Sequence, residues 1–158
     1  MRDPIPVTEL AVREPFEVLY QREFRPMVRL ATALVDEAGQ AEEVVQEAFA
    51  ALYVRYRVID NPVAYLRVCV LNGGRKVLRR RRLTRQHPPI PDEPGDLVFN
   101  HVLDAVRRLP TRQRNAIVLR YELQLSDQEI AETLGVPVGT VKSTVHRALA
   151  RLRTEVTR

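Results

Sequence analysis

The residues of this 158-residue chain that could do chemistry are three histidines, one cysteine and several clusters of charge, and their spacing favours binding over catalysis. His87 lies in a proline-rich stretch, while His101 and His146 fall in separate helical patterns. No histidine pair has ligand spacing, and Cys69 alone can build neither a zinc cluster nor an intrachain disulfide. Glu42, Glu43 and Glu47 are close in sequence, but a carboxylate cluster with no histidine or pocket is poorly equipped for acid–base work. Neither a nucleophile elbow nor a phosphate loop occurs. No catalytic residue, metal, cofactor or small-molecule substrate is expected. Lys142, Ser143, His146 and Arg147 offer different chemistry, since cationic and hydrogen-bonding side chains on one arc can reach phosphates and base edges.

The elements that must position that set are legible in Ser126 to Arg147. Ser126 followed by Glu129 predicts a capped helix burying Ile130, Ala131 and Leu134. Gly135 stands where a left-handed residue must end that helix. A second helix opens near Pro137, with Val141, Val145, Ala148, Leu149 and Leu152 on one arc and the cationic set on the opposite one. Helix, tight turn and two-faced second helix are the parts of a helix-turn-helix that enters the major groove. A helical hairpin with a solvated basic face is the plainer alternative.

Composition is compatible with a polyanionic partner. Net charge is +5, and nearly all the positive charge is arginine, with Lys76 and Lys142 the only lysines. Cys69, between Val68 and Val70, reads as a buried structural thiol. With no secretory signal and no apolar run long enough to span a bilayer, a soluble, cytoplasmic protein is expected, with no membrane partner.

Upstream, residues 1–14 read as a loose leader and Pro15 as a helix start, with Pro26 expected to kink or divide that helix. Gln40 to Tyr56 is amphipathic, burying Ala41, Val44, Val45, Ala48, Phe49 and Leu52 and turning Glu42, Glu43, Gln46 and Glu47 outward. Asn61-Pro62 predicts the cap and first turn of a third helix running towards Arg82. Gly73-Gly74 within it is either a soft point or a place of close backbone approach. Charge is segregated: five acids and no Lys or Arg between Leu30 and Val54, then eight Lys or Arg and no acid between Asn61 and Pro91. Neighbouring helices of opposite sign suggest two different partners, against simple solvation of the acidic face or a targeting or membrane role for the basic run. The stretch QHPPIPDEPG holds four prolines and reads as a linker over residues 84–96. Beyond it, Leu97 to Leu109 is helical by pattern and Thr111 is expected to cap a further helix. The fold class is therefore all-α: two small helical domains, residues 15–83 and 97–158, joined by a flexible Pro-rich linker, the second containing the helix-turn-helix.

QAEEVVQEAF (residues 40–49), the basic helix from Tyr65 to Arg82, LPTRQR (residues 109–114) and VPVGTVKSTVHRALARLR (residues 136–153), in that order, resemble an extracytoplasmic-function (ECF) sigma factor of bacterial RNA polymerase, group 4 of the sigma-70 superfamily. The likeness covers roughly residues 15 to 155 and implies a promoter-specificity subunit with no catalysis of its own. It implies that Glu42, Glu43, Gln46 and Glu47 dock on the coiled coil of the largest (β′) polymerase subunit. Asn72 would lie near a flipped non-template base of the minus-ten element, with Tyr65 at an aromatic strand-opening position and Arg75, Lys76, Arg79 and Arg80 along the phosphates. Thr140, Lys142, Ser143, His146 and Arg147 would read the minus-thirty-five element as duplex, and the second domain would also touch the flap of the β subunit. Core polymerase and promoter DNA are the implied partners, with a dedicated anti-sigma factor a further one in many relatives. Gln40, Lys76, Pro137 and Thr144 depart from the residues usual in the family. The competing functional reading is a LuxR-type helix-turn-helix regulator acting without polymerase.

Overall fold

The computed structural model describes residues 13–35, 37–84 and 97–157, with the side chains of residues 97–100 left aside. It contains seven helices: α1 (Phe16–Val35), α2 (Ala38–Arg55), α3 (Pro62–Thr84), α4 (Leu97–Arg108), α5 (Thr111–Tyr121), α6 (Asp127–Leu134) and α7 (Val138–Val156). No strand occurs among the described residues, and the fold is all-α. The leader up to residue 12 and the linker from residue 85 to 96 lie outside the described residues.

The first three helices pack on one another through the apolar faces their periodicity dictates. Leu19, Met27, Leu30, Ala31, Leu34 and Val35 of α1 are buried against Ala41, Val44, Val45, Ala48, Phe49 and Leu52 of α2 and Leu66, Val70 and Leu71 of α3. Pro26 sits inside α1, which continues through it as one helix rather than dividing there. It leaves one carbonyl without its helical donor, but buried Met27, Leu30 and Ala31 immediately follow, and their burial outweighs the lost bond. Arg13 and Glu14, placed by sequence at the end of a loose leader, are pinned: Arg13 donates to the Tyr56 carbonyl, and the Tyr56 hydroxyl donates to the Glu14 carbonyl at 2.8 Å.

Asn61 caps α3, its Oδ1 accepting from the Ala64 N–H at 3.0 Å. The helix runs unbroken through Gly73-Gly74 because those glycines are where its neighbours come closest. A Cβ on Gly73 would lie 2.7 Å from Val44 Cγ1, and one on Gly74 would lie 3.4 Å from the Leu34 side chain. Close approach, not softness, explains the pair.

The remaining helices gather around α7, which touches α4, α5 and α6. Pro110, not Thr111, occupies the N-cap of α5, with extended backbone and no side-chain cap bond. The hydroxyl of Thr111 is already inside the helix and cannot cap it. The α6 cap forms as its sequence dictates: Ser126 Oγ accepts from the Glu129 N–H at 3.2 Å, and Glu129 Oε2 accepts from the Ser126 N–H at 2.9 Å. Gly135 ends α6 at φ 65°, and its N–H donates to the Ala131 carbonyl. An Arg120–Asp127 ion pair fastens α5 to the first turn of α6. The two groups of helices also meet, α1 against α4 and α5, and α3 against α6.

Candidate nucleic-acid interface

The acidic residues of α2 face solvent. Glu42, Glu43, Gln46 and Glu47 are exposed while Ala41, Val44, Val45 and Ala48 between them are buried, so packing of the apolar stripe fixes the direction of the charged one. Glu42, Glu43 and Glu47 have no ion pair among the described residues, which leaves their charge available to a partner.

On α3 the six singled-out residues share a face. At about 100° per residue, Tyr65, Asn72, Arg75, Lys76, Arg79 and Arg80 fall within an arc of about 140°. All are exposed except Tyr65, which is half-buried. Buried Leu66, Val70 and Gly74 hold the opposite side against α1 and α2. Arg81 points off this arc, its Nη2 donating to Gln40 Oε1 at 2.8 Å and approaching Glu37 Oε2 at 3.3 Å, so the basic helix is tied to the start of the acidic one.

The recognition-like helix α7 is divided in the same way. Val141, Val145 and Ala148 are buried, and Thr140, Lys142, Ser143, His146 and Arg147 are exposed. Arg147 Nε donates to the Ser143 carbonyl at 3.2 Å and Ser143 Oγ to the Thr140 carbonyl at 3.1 Å, which lays these side chains along the helix surface. Three polar faces are thus presented by three helices whose other sides are core.

Residues 100–152, which hold α5, α6 and most of α7, match the family described as Sigma-70, region 4. Along 142 residues the chain is 37% identical to the RNA polymerase sigma-E factor of Streptomyces coelicolor, covering 82% of this chain and 79% of that protein. The chain belongs to the ECF sigma factors of RNA polymerase. The ECF RNA polymerase sigma factor SigW of Bacillus subtilis is 29% identical over 81% of each chain. The fold of the sigma factor is similar to that of RpoE from Bartonella quintana, solved in complex with the anti-sigma factor NepR, with TM-score 0.75 and 23% identity over 90% of this chain and 96% of that one. These matches favour the sigma-factor reading over a LuxR-type regulator, and directing transcription by RNA polymerase is what this family does.

On α3 and α6, Cys69 and Glu129 are shifted from their ordinary values by their immediate surroundings. Burial pushes the Cys69 thiol up, opposed by its hydrogen bond with Tyr65. Cys69 is a half-buried free thiol, not one sealed in the core. The Glu129 carboxyl is held below the ordinary carboxylate range, first by the Ser126 backbone N–H and then by its hydroxyl. No cluster able to hold a metal ion occurs among the described residues, and no helix there is long and apolar enough to cross a membrane.

Sequence reasoning missed Arg81 as a tie between helices, because nothing distinguishes it from its neighbours in an unbroken basic run. It also missed Arg29 and Glu122, whose side chains meet at 2.7 Å between the two helical groups. Isolated charges 93 positions apart carry no pattern a sequence could reveal.

Proposed function

We propose that this ECF sigma factor divides promoter recognition among its three exposed faces. Glu42, Glu43, Gln46 and Glu47 engage the basic coiled coil of the largest polymerase subunit. Tyr65 and Asn72 meet the opened minus-ten strand, Tyr65 by stacking worth about 1–3 kcal/mol per base, and Arg75, Lys76, Arg79 and Arg80 follow its phosphates. Thr140, Lys142, Ser143, His146 and Arg147 read the minus-thirty-five duplex in the major groove. The protein works in the cytoplasm, has no catalytic activity of its own, and forms two functional domains, residues 15–83 and 97–158. A dedicated anti-sigma factor is a further candidate partner.

The observation that carries this reading is the exposure of an unpaired acidic face on α2 beside a cationic arc on α3, two helices packed directly together with opposite charge turned outward. The test is transcription with purified components. Core polymerase plus this protein gives a promoter-dependent transcript that neither gives alone; no such transcript from any genomic fragment overturns the reading.

A further inference from the structure

The end of α3 overhangs the core. Val77 is the last apolar side chain of that helix packed against the core, and beyond it every residue is exposed or half-buried. Arg79 and Arg80 stand on this overhang, and both are exposed. Arg75–Arg79 and Lys76–Arg80 are like-charged pairs four positions apart, a spacing at which repulsion loosens a helix. The helix dipole favours cations at this end but does not fix where the end points. Thr84 Oγ1 donates to the Arg80 carbonyl at 3.0 Å, a bond that closes the last turn on itself and ties it to no other helix.

Arg81 makes that tie. It leaves the back of α3, away from the arc that carries Arg79 and Arg80, and its Nη2 donates to Gln40 Oε1 at 2.8 Å and lies 3.3 Å from Glu37 Oε2. Both bonds start from a charged donor, which makes them the stronger kind. Glu37 is the N-cap residue of α2 and Gln40 lies in its first turn. The anchorage is itself fixed, because Ala41, Val44 and Val45, immediately after it, are buried in the core. Arg81 thus fastens an overhanging end to a held one.

We propose that Arg81 is a positioning residue for promoter binding: by joining the end of α3 to the start of α2 it holds Arg79 and Arg80 in register with the DNA backbone, and it touches no DNA itself. The inference rests on the phosphate contacts of Arg79 and Arg80 given above. Side chains carried on a fixed segment lose less freedom on binding, so a tied overhang holds phosphates more tightly than a loose one of the same charge. The tie adds affinity without adding a contact.

The experiment measures promoter affinity of holoenzyme formed at saturating core polymerase, and amide hydrogen exchange of the full chain. The variants are Arg81→Ala, the exchange Glu37→Arg with Arg81→Glu, and Arg79→Ala with Arg80→Ala, the last pair with and without Arg81→Ala. Arg81→Ala speeds amide exchange over residues 78–84 of α3. It lowers promoter affinity about three- to tenfold, the range lost when one or two long side chains must be ordered on binding. The charge exchange restores both, since Gln40 can accept from a cation or donate to a carboxylate. In the chain already lacking Arg79 and Arg80, Arg81→Ala has no further effect on promoter affinity, because a residue acting through others loses its effect with them. A direct phosphate contact by Arg81 behaves otherwise: its loss costs the same in both backgrounds, lowers the salt slope by about one and is not repaired by the exchange. That result overturns the positioning role, and so does an Arg81→Ala protein with wild-type amide exchange over residues 78–84 or wild-type promoter affinity. If losing Arg79 and Arg80 together leaves promoter binding unchanged, the phosphate contacts themselves are wrong and the positioning role falls with them.

Discussion

Gly73 on α3 faces Val44 on α2 so closely that a Cβ at position 73 would stand 2.7 Å from Val44 Cγ1. Val44 lies between Glu43 and Gln46, and Gly73 follows Asn72, so this contact is a point of close approach between the acidic helix α2 and the basic helix α3. Gly73→Ala has to push Val44 aside and is expected to destabilise the fold by about 1–3 kcal/mol. Gly139, with nothing within 4 Å of a built Cβ, is the control. Gly139→Ala is expected to be neutral or stabilising by up to about 1 kcal/mol, because it removes helix-opposing backbone freedom. Denaturant unfolding of both variants checks the contrast.

The α6 cap predicts a pH dependence of stability. Glu129 has a folded pKa below its unfolded one, so its contribution is present above the ordinary carboxylate range and is lost as pH falls through that range towards the lower folded value. Ser126→Ala removes the hydroxyl that accepts from the Glu129 N–H and donates to Glu129 Oε2, leaves the backbone N–H bond to that carboxylate in place, and is expected to cost about 0.5–2 kcal/mol near neutral pH. The difference from wild type should shrink as the solution is acidified. Thermal unfolding followed by circular dichroism over that range measures it, and a constant difference at all pH values would argue against the cap's carboxylate.

Base contacts and phosphate contacts should separate by their response to salt. Lys142→Ala or Arg147→Ala is expected to cost about 1–3 kcal/mol of discrimination between the cognate minus-thirty-five sequence and a mutated one. Arg79→Ala or Arg80→Ala is expected instead to weaken promoter binding across sequences and reduce the slope of affinity against salt by about one. Holoenzyme binding to cognate and mutated fragments at several salt concentrations distinguishes the two behaviours.

Local signals in the chain proved readable wherever a backbone group needed a particular side chain. Asn61, the Ser126–Glu129 pair and Gly135 all do what their types demand, because caps and left-handed turns depend on neighbours a few residues away. Apolar periodicity oriented α2 and α7 as well, so the exposed faces carrying Glu43 and Lys142 could be drawn before any coordinates. Pro26 does not divide α1 because its cost is local and its compensation, burial of Met27, Leu30 and Ala31, is tertiary and lies outside any short-range pattern. The cap of α5 lies one position before Thr111, since Pro110 already supplies the extended residue at the helix start. The meeting of Arg29 with Glu122, and of Arg114 with the Leu34 carbonyl, depends on how separate helices dock, which no short-range pattern encodes.

If the outward charge on α2 grips the polymerase, reversing that charge removes the grip. Glu43 and Glu47 are exposed, so the double variant Glu43→Lys, Glu47→Lys should keep the helicity and unfolding midpoint of wild type. Its affinity for core polymerase, measured with purified components, is expected to fall by at least about tenfold, roughly 1.4 kcal/mol. A folded double variant that binds core polymerase as tightly as wild type would show that the acidic face of α2 does not hold the polymerase.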